Sequence, residues 1–260
     1  MASWKTNWRL LWRMVERDLR SKYVGSLIGI FWTVIHPLLL LLIFTFIFAI
    51  VFQAKFGAEK GVGISALYIL CGLIPWLGFQ EGLIRAGSYL IEHRNLISRV
   101  KFPVGILPAV PVLSGLCGQV IGFLVLILWA GFKGKLSFLG LVLVFVWILV
   151  QLGFGLGLGY LISGLSVWVR DIIQLVPVLL LVWMYATPIF YPANMVPAKF
   201  QIFIWLNPMA HLVEGYRRLL LEKSLPELKS VVFLTAMMAV SLVLGFWIFN
   251  RLKKGFADRV

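Results

Sequence analysis

The chain has 260 residues, 61% of them hydrophobic and 13% charged, with a formal net charge of +14. That balance lies outside soluble globular domains and specifies a polytopic membrane protein, a single helical bundle with no appended soluble domain. The positive charge is what a spanning protein gathers as cytoplasmic topology signals, so no nucleic-acid partner is expected.

From Ser3 to Tyr23, the residues Trp4, Trp8, Leu11, Trp12, Val15 and Leu19 recur at helical spacing, with Lys5, Arg9, Arg13, Arg17 and Arg20 largely elsewhere on the wheel. Such a helix lies in the membrane interface, indoles at headgroup depth and cations toward phosphates. It lacks the short apolar core and small-residue cleavage site of a secretory signal, so insertion is expected to rest on the first spanning helix.

Six windows free of Asp, Glu, Lys and Arg are present: Tyr23–Ala54, Gly61–Gln80, Phe102–Phe132, Leu136–Val169, Ile172–Ala198 and Ser230–Asn250. Each supplies the ~20 apolar residues that cross a hydrocarbon core of ~30 Å. The predicted spans are 31–52, 63–83, 104–131, 137–165, 172–190 and 230–250. An even number puts both termini on one side. The larger share of the 24 Lys and Arg residues then falls in the N-terminal helix, in 85–101, at Arg170 and after Arg251, which predicts cytoplasmic termini. Gly118 and Gly122 in the third span, and Gly153, Gly155, Gly157 and Gly159 in the fourth, mark close approaches between helix backbones.

The stretch from Arg170 to Leu221 departs from a simple span. Pro177 and Pro188 cut it, and Pro192, Pro197, Asn207 and Pro208 then break any continuous helix although the residues stay apolar and aromatic. Broken backbone is tolerated at membrane depth only where protein or a water-filled cavity satisfies its polar groups. The expectation is one spanning helix followed by two short re-entrant helices within 193–221, closing one end of a pathway.

No catalytic apparatus is visible. His36 is the sole basic or acidic side chain inside the six windows, whereas an intramembrane enzyme shows its acids, bases or ligands there. Cys71 and Cys117 sit in apolar runs, which fits neither a metal site nor a disulfide framework. No Gly-rich phosphate cradle is present, so energy must come from another polypeptide. The connection from Arg85 to Pro103 holds a short amphipathic run, Tyr89 to Val100, with Glu92, His93, Arg94, Asn95, Arg99 and Lys101 on or beside it. This is either a lever moved by a soluble partner or a solvated basic loop. Phe44, Phe48 and Phe52 form an i, i+4, i+8 stripe, and Trp183 and Phe190, with Tyr191 beside it, continue the aromatic theme. Such rings usually pack helices or sit in an interfacial belt. The alternative is a lining on which the C–H faces of sugars slide. His211, Glu214, Arg217 and Arg218 have the spacing of helical ion pairs that fix the outer helices.

Four stretches, RDLRSKYVGSLIGIFW with His36-Pro37, Glu92 to Pro103, RDIIQ with ATPIFYP, and WLNPMAHLVEGYR, resemble the type-2 ABC transporter permeases. Within that family the similarity is to the subunits that export O-antigen, capsular or related cell-surface polysaccharides. His36 departs from the pattern, where Asn is more usual. The resemblance implies an all-α homodimer of six-span subunits in a bacterial inner membrane. Two copies of an ATPase subunit would sit beneath and bind ATP and Mg, leaving this chain without a cofactor. It implies further that Tyr89 to Lys101 couples to the ATPase, with Arg170 and Asp171 as a second contact, and that Asn207, Pro208, His211, Glu214 and Arg217 belong to a periplasmic gate. The substrate would be a polysaccharide on a lipid pyrophosphate, captured by Arg13, Arg17, Arg20 and Lys22 and drawn past the rings. Rival readings are a teichoic acid, glycolipid or hydrophobic-drug exporter of the same fold, a polyprenyl-phosphate transferase, and an ATP-independent channel.

Overall fold

The computed structural model describes residues 4–22, scattered positions between 24 and 51, residues 62–97 and residues 102–256. Most of the predicted first span, including His36, Phe44, Phe48 and Phe52, lies outside the described residues.

The described residues form helices and no strands. In chain order the α-helices are α1 (Trp4–Ser21), α2 (Val62–Glu92), α3 (Arg94–Ile97), α4 (Ala109–Phe132), α5 (Phe138–Trp168), α6 (Ile172–Ala186), α7 (Gln201–Trp205), α8 (Pro208–Leu220) and α9 (Leu228–Leu252). Among the described residues, four helical stretches are long and apolar enough to cross a membrane: Ser65–Glu92, Val104–Phe132, Phe138–Trp168 and Leu228–Gly255. The predicted span 172–190 is shorter than expected. Helix α6 has 15 residues, about 22 Å at ~1.5 Å per residue. It stops because Thr187, held extended before Pro188, leaves the helical region.

Helix α2 runs the other way from expectation. It has 31 residues and passes through Pro75 to Glu92, so Tyr89 and Glu92 lie on the last turns of a long helix instead of a separate amphipathic run. Only after a turn at His93 does the four-residue α3 begin.

Small residues set how the helices meet. In the α2–α4 pair, which is antiparallel, a Cβ on Gly115 would collide with the Gly78 carbonyl oxygen and crowd the Gly82 backbone. In the parallel α5–α9 pair, a Cβ on Gly157 would collide with the Ser241 and Leu242 backbone, and one on Gly245 with the Gly157 carbonyl. The small-residue pattern in the fourth span thus serves backbone contact at Gly157, while Gly155 and Gly159 meet Val112 side-chain carbons and Gly153 meets Met238. Gly118 makes no such approach: a Cβ there would reach only Glu81 Oε2, at 3.7 Å.

Two apolar clusters mark the two ends of the bundle. One joins Trp76, Phe79, Phe154, Met209, Leu212 and Tyr216. The other gathers Met14 and Val15 of α1, Tyr89, Val110, Tyr160, Phe249 and Phe256. The N-terminal helix, the C-terminal ends of α2, α5 and α9 and the start of α4 therefore share one end. Helices α7 and α8 close the other.

Because only relaxation of rigid backbone could relieve the clash, Gly157→Val is expected to destabilise the protein by about 1–3 kcal/mol. Gly118→Ala should be close to neutral. Thermal unfolding of both variants in detergent, followed by monodispersity, checks the contrast; equal effects would contradict the packing.

Candidate functional site

At the α7–α8 end, the backbone break after α6 is held by side chains. Asn207 caps α8, its Oδ1 accepting from Met209 N at 3.0 Å and from Trp183 Nε1 at 2.8 Å. Its Nδ2 donates to Thr187 Oγ1 at 3.0 Å and Ala186 O at 3.3 Å. Pro208 follows at the first helical position, where its missing N–H is not needed. Arg217 is 1% exposed and its guanidinium lies 3.5 Å from the Tyr68 ring centroid. It donates to Tyr68 O at 3.3 Å and to Ile189 O at 3.0 Å. His211 bridges the Trp205 carbonyl, 2.6 Å from Nε2, and Ser230 Oγ, 2.9 Å from Nδ1. Since a carbonyl only accepts, Nε2 carries the proton in that bond.

Arg218, more than Arg217, supplies the ion pairs read from the helical spacing. It reaches Glu214 at 3.4 Å and Glu227 at 2.7 Å, while Arg217 stands 3.9 Å from Glu214.

The aromatic pair is placed differently from a shared helical stripe. Trp183 lies on α6, but Phe190 follows the end of that helix and is 2% exposed. The Trp183 ring stands edge-on to Trp76 at 6.0 Å, Phe79 at 5.7 Å and Phe154 at 6.3 Å, packing of the kind that aromatic quadrupoles favour. Tyr191 donates from its hydroxyl to Tyr185 O at 3.0 Å. Within this chain both rings make packing contacts, Phe190 with Tyr185 at 5.9 Å.

At the opposite end α1 is clamped to α2. Arg85 donates both terminal nitrogens to the buried Asp18 carboxylate at 2.5 Å. Lys22 reaches Glu81 at 2.6 Å, and Arg17 Nη2 lies 3.3 Å from His93 Nε2. His93 stacks on the buried Tyr89 at 4.2 Å. Of the predicted phosphate-capturing cations, Arg17 and Lys22 are thus drawn toward α2; Arg13 is exposed, and Arg20 is exposed and paired to Glu16 at 2.6 Å. Glu92, Arg94 and Asn95 are exposed beside this clamp, and Arg170 and Asp171 are exposed between α5 and α6.

Sequence reasoning missed Asp18, Glu81 and Arg85. The usable signal was that Asp18 falls on the same stripe as Met14 and Val15, so an acid lay on the buried face of an Arg-rich helix. It also missed a polar node between the ends. Gln151 Nε2 donates to Pro75 O at 2.9 Å and to Gln119 Oε1 at 3.0 Å, and Tyr216 donates to Gln151 Oε1 at 2.8 Å. Gln119 and Gln151 stand in long apolar windows, the pattern of polar residues that join helices in a membrane.

A model of the ABC-2 type transporter family matches residues 9–221. The chain belongs to the ABC-2 type transporter family. The match runs from α1 through α8, so it takes in both the clamp and the α7–α8 end. Among similar proteins, the O-antigen export system permease protein RfbA of Myxococcus xanthus is 29% identical over 195 residues, 74% of this chain and 75% of that protein. A protein of the same description from Klebsiella pneumoniae is 28% identical over 200 residues, 74% of each chain. As an ABC-2 type transporter with long apolar helices, the chain is a multi-pass integral membrane protein and a transport subunit.

Two outcomes follow for this ABC-2 transporter. Asn207→Ala removes a cap worth about 0.5–2 kcal/mol and strands the Trp183 indole N–H, whereas Asn207→Ser keeps the cap alone. The thermal midpoint should fall further for Ala than for Ser. At the clamp, Asp18→Ala should cost about 1.5–3 kcal/mol, the scale of a hydrogen bond to a charged group. Most of that cost should vanish when Arg85→Leu is already present, as a double-mutant cycle by thermal unfolding would register.

Proposed function

We propose that this chain is the permease subunit of an ATP-driven exporter that carries a lipid-linked, O-antigen-like polysaccharide from the cytoplasmic to the periplasmic face of a bacterial inner membrane. The observation that carries the reading is that relatives described as O-antigen export permeases align over about three quarters of both chains. The family match over residues 9–221 supports it.

On this reading two copies of the chain assemble with two copies of an ATPase subunit that binds ATP and Mg. The termini are cytoplasmic, and the end carrying α1, α3 and the C-terminal turn faces the ATPase. Its supply of Lys and Arg favours that orientation. The exposed Glu92, Arg94 and Asn95 at the α2–α3 turn, with Arg170 and Asp171, form the docking surface. Tyr89 and His93 act from within it by holding the turn against α1. Arg13 and Arg20, exposed on the amphipathic helix, attract the lipid pyrophosphate, and Arg17 and Lys22 join them when the clamp opens. The polymer follows the seam between the two copies, past Phe44, Phe48, Phe52, Trp183, Phe190 and Tyr191. The residues Asn207, Pro208, His211, Glu214 and Arg217 belong to the gate at the far end, formed by the re-entrant α7 and α8.

The test uses the permease co-purified with its ATPase, and surface polysaccharide in an export-deficient strain. Replacing Glu92, His93 and Arg94 with Ala should lower substrate-stimulated ATP hydrolysis and surface polymer together while leaving assembly intact. Undiminished hydrolysis and export would overturn the coupling role.

A further inference from the structure

At the α7–α8 end a cavity of about 910 Å³ opens between the start of α2, the segment after α6 and the beginning of α9. Its size falls within the ~300–1,000 Å³ of sites that take a small ligand or a segment of a larger one. Its wall includes Tyr68, Gln201, Trp205, Glu214, Glu222 and Glu227 and, among the described residues, no Lys or Arg.

The wall has the mixed chemistry of a sugar site. Trp205 is 50% exposed, braced behind by Phe233 at 5.3 Å and edge-on to His211 at 6.4 Å, so it offers a fixed apolar surface to the C–H face of a pyranose. Carboxylates accept from hydroxyls in short, strong bonds, and two of them are fixed in advance. Arg218, outside the cavity wall, holds Glu214 at 3.4 Å and Glu227 at 2.7 Å, which leaves their other lone pairs for a ligand. Behind the wall, the buried Arg217 stands 3.9 Å from the lining residue Glu214.

We propose that this cavity is a glycan vestibule, in which a short segment of a neutral polysaccharide stacks on Trp205 and donates hydroxyls to Glu214, Glu222 and Glu227. The assignment rests on the export reading and adds the charge class of the polymer: among the described residues the wall carries three carboxylates and no Lys or Arg, and carboxylates repel a polyanion.

Cysteine protection tests it in cells. Asn194 is an exposed residue of the cavity wall, and Asn194→Cys can be labelled with a membrane-impermeant maleimide added to the periplasmic side. Cys71 and Cys117 of the unsubstituted chain set the background. Labelling should be rapid in cells that make no polymer, and about tenfold slower in cells exporting a neutral one, as mass action gives for a site mostly occupied. Inactivating the ATPase should restore rapid labelling, and an anionic glycan should give no protection. Equal labelling while neutral polymer is exported overturns the vestibule and leaves the export reading standing. No labelling in any strain overturns it too, since the cavity would not open to the periplasm. Equal protection by the anionic glycan overturns the charge preference. Failure of the chain to restore export at all would sink the export reading instead. A purely structural role for Trp205 is separated by Trp205→Phe, which should keep protection where Trp205→Ala loses it at unchanged thermal midpoint.

Discussion

The arrangement depends on a buried guanidinium. A charged group taken from water into an apolar bundle costs several kcal/mol even after relaxation, and Arg217 offsets that cost by what it gathers. The Tyr68 ring lies against it at 3.5 Å, and the carbonyls of Tyr68 and Ile189 accept its N–H groups. Ile189 stands in the non-helical stretch after α6, where its oxygen has no helical partner. Arg217 thus supplies the donor that the broken backbone lost, and Asn207 does the same for the Ala186 carbonyl. Without such substitutes the turn after α6 would leave carbonyls unpaired.

Helix α2 carries that constraint to the other end. Tyr68 near its start faces Arg217, the Pro75 carbonyl accepts from Gln151, and Arg85 near its end holds Asp18 of α1. One 31-residue helix therefore touches the α7–α8 closure, the central amide node and α1. The Gly78 and Gly82 contacts with Gly115 keep α4 against it, leaving little room for the two ends to shift independently of the helix that joins them.

The membrane class, the amphipathic N-terminal helix, the breaks at Pro188 and Pro208 and the ion-pair spacing on α8 were legible because each is local: composition, a 3.6-residue period, a missing N–H. Partner choice was not. Arg217 and Arg218 are adjacent and chemically alike, yet one is buried under Tyr68 and the other meets acids at the surface. Spacing along α8 marks both as pairing residues and gives no account of which faces the bundle. The end of α2 was misjudged for a related reason. Charges at Glu81 and Arg85 look like the edge of a span, but Lys22 and Asp18 neutralise them and the helix continues to Glu92. The placement of Trp183 and Phe190 depends on where α6 stops, which Thr187 and Pro188 decide.

The two kinds of contact differ in how they can give way. Where Gly157 of α5 meets the α9 backbone, parting the helices opens a continuous interface, and no intermediate keeps half of it. The α7–α8 closure adds to the buried apolar face of Met209, Leu212 and Tyr216 separate side-chain bonds from Asn207, His211 and Arg217, each worth about 0.5–1.5 kcal/mol net when neutral and somewhat more when charged. Such bonds can be exchanged one at a time, which the backbone contact at Gly157 does not allow. Helix α6, too short at 15 residues to cross alone, ends against that closure. Movement of α6 along its axis would therefore load the side-chain bonds before it strained any long helix.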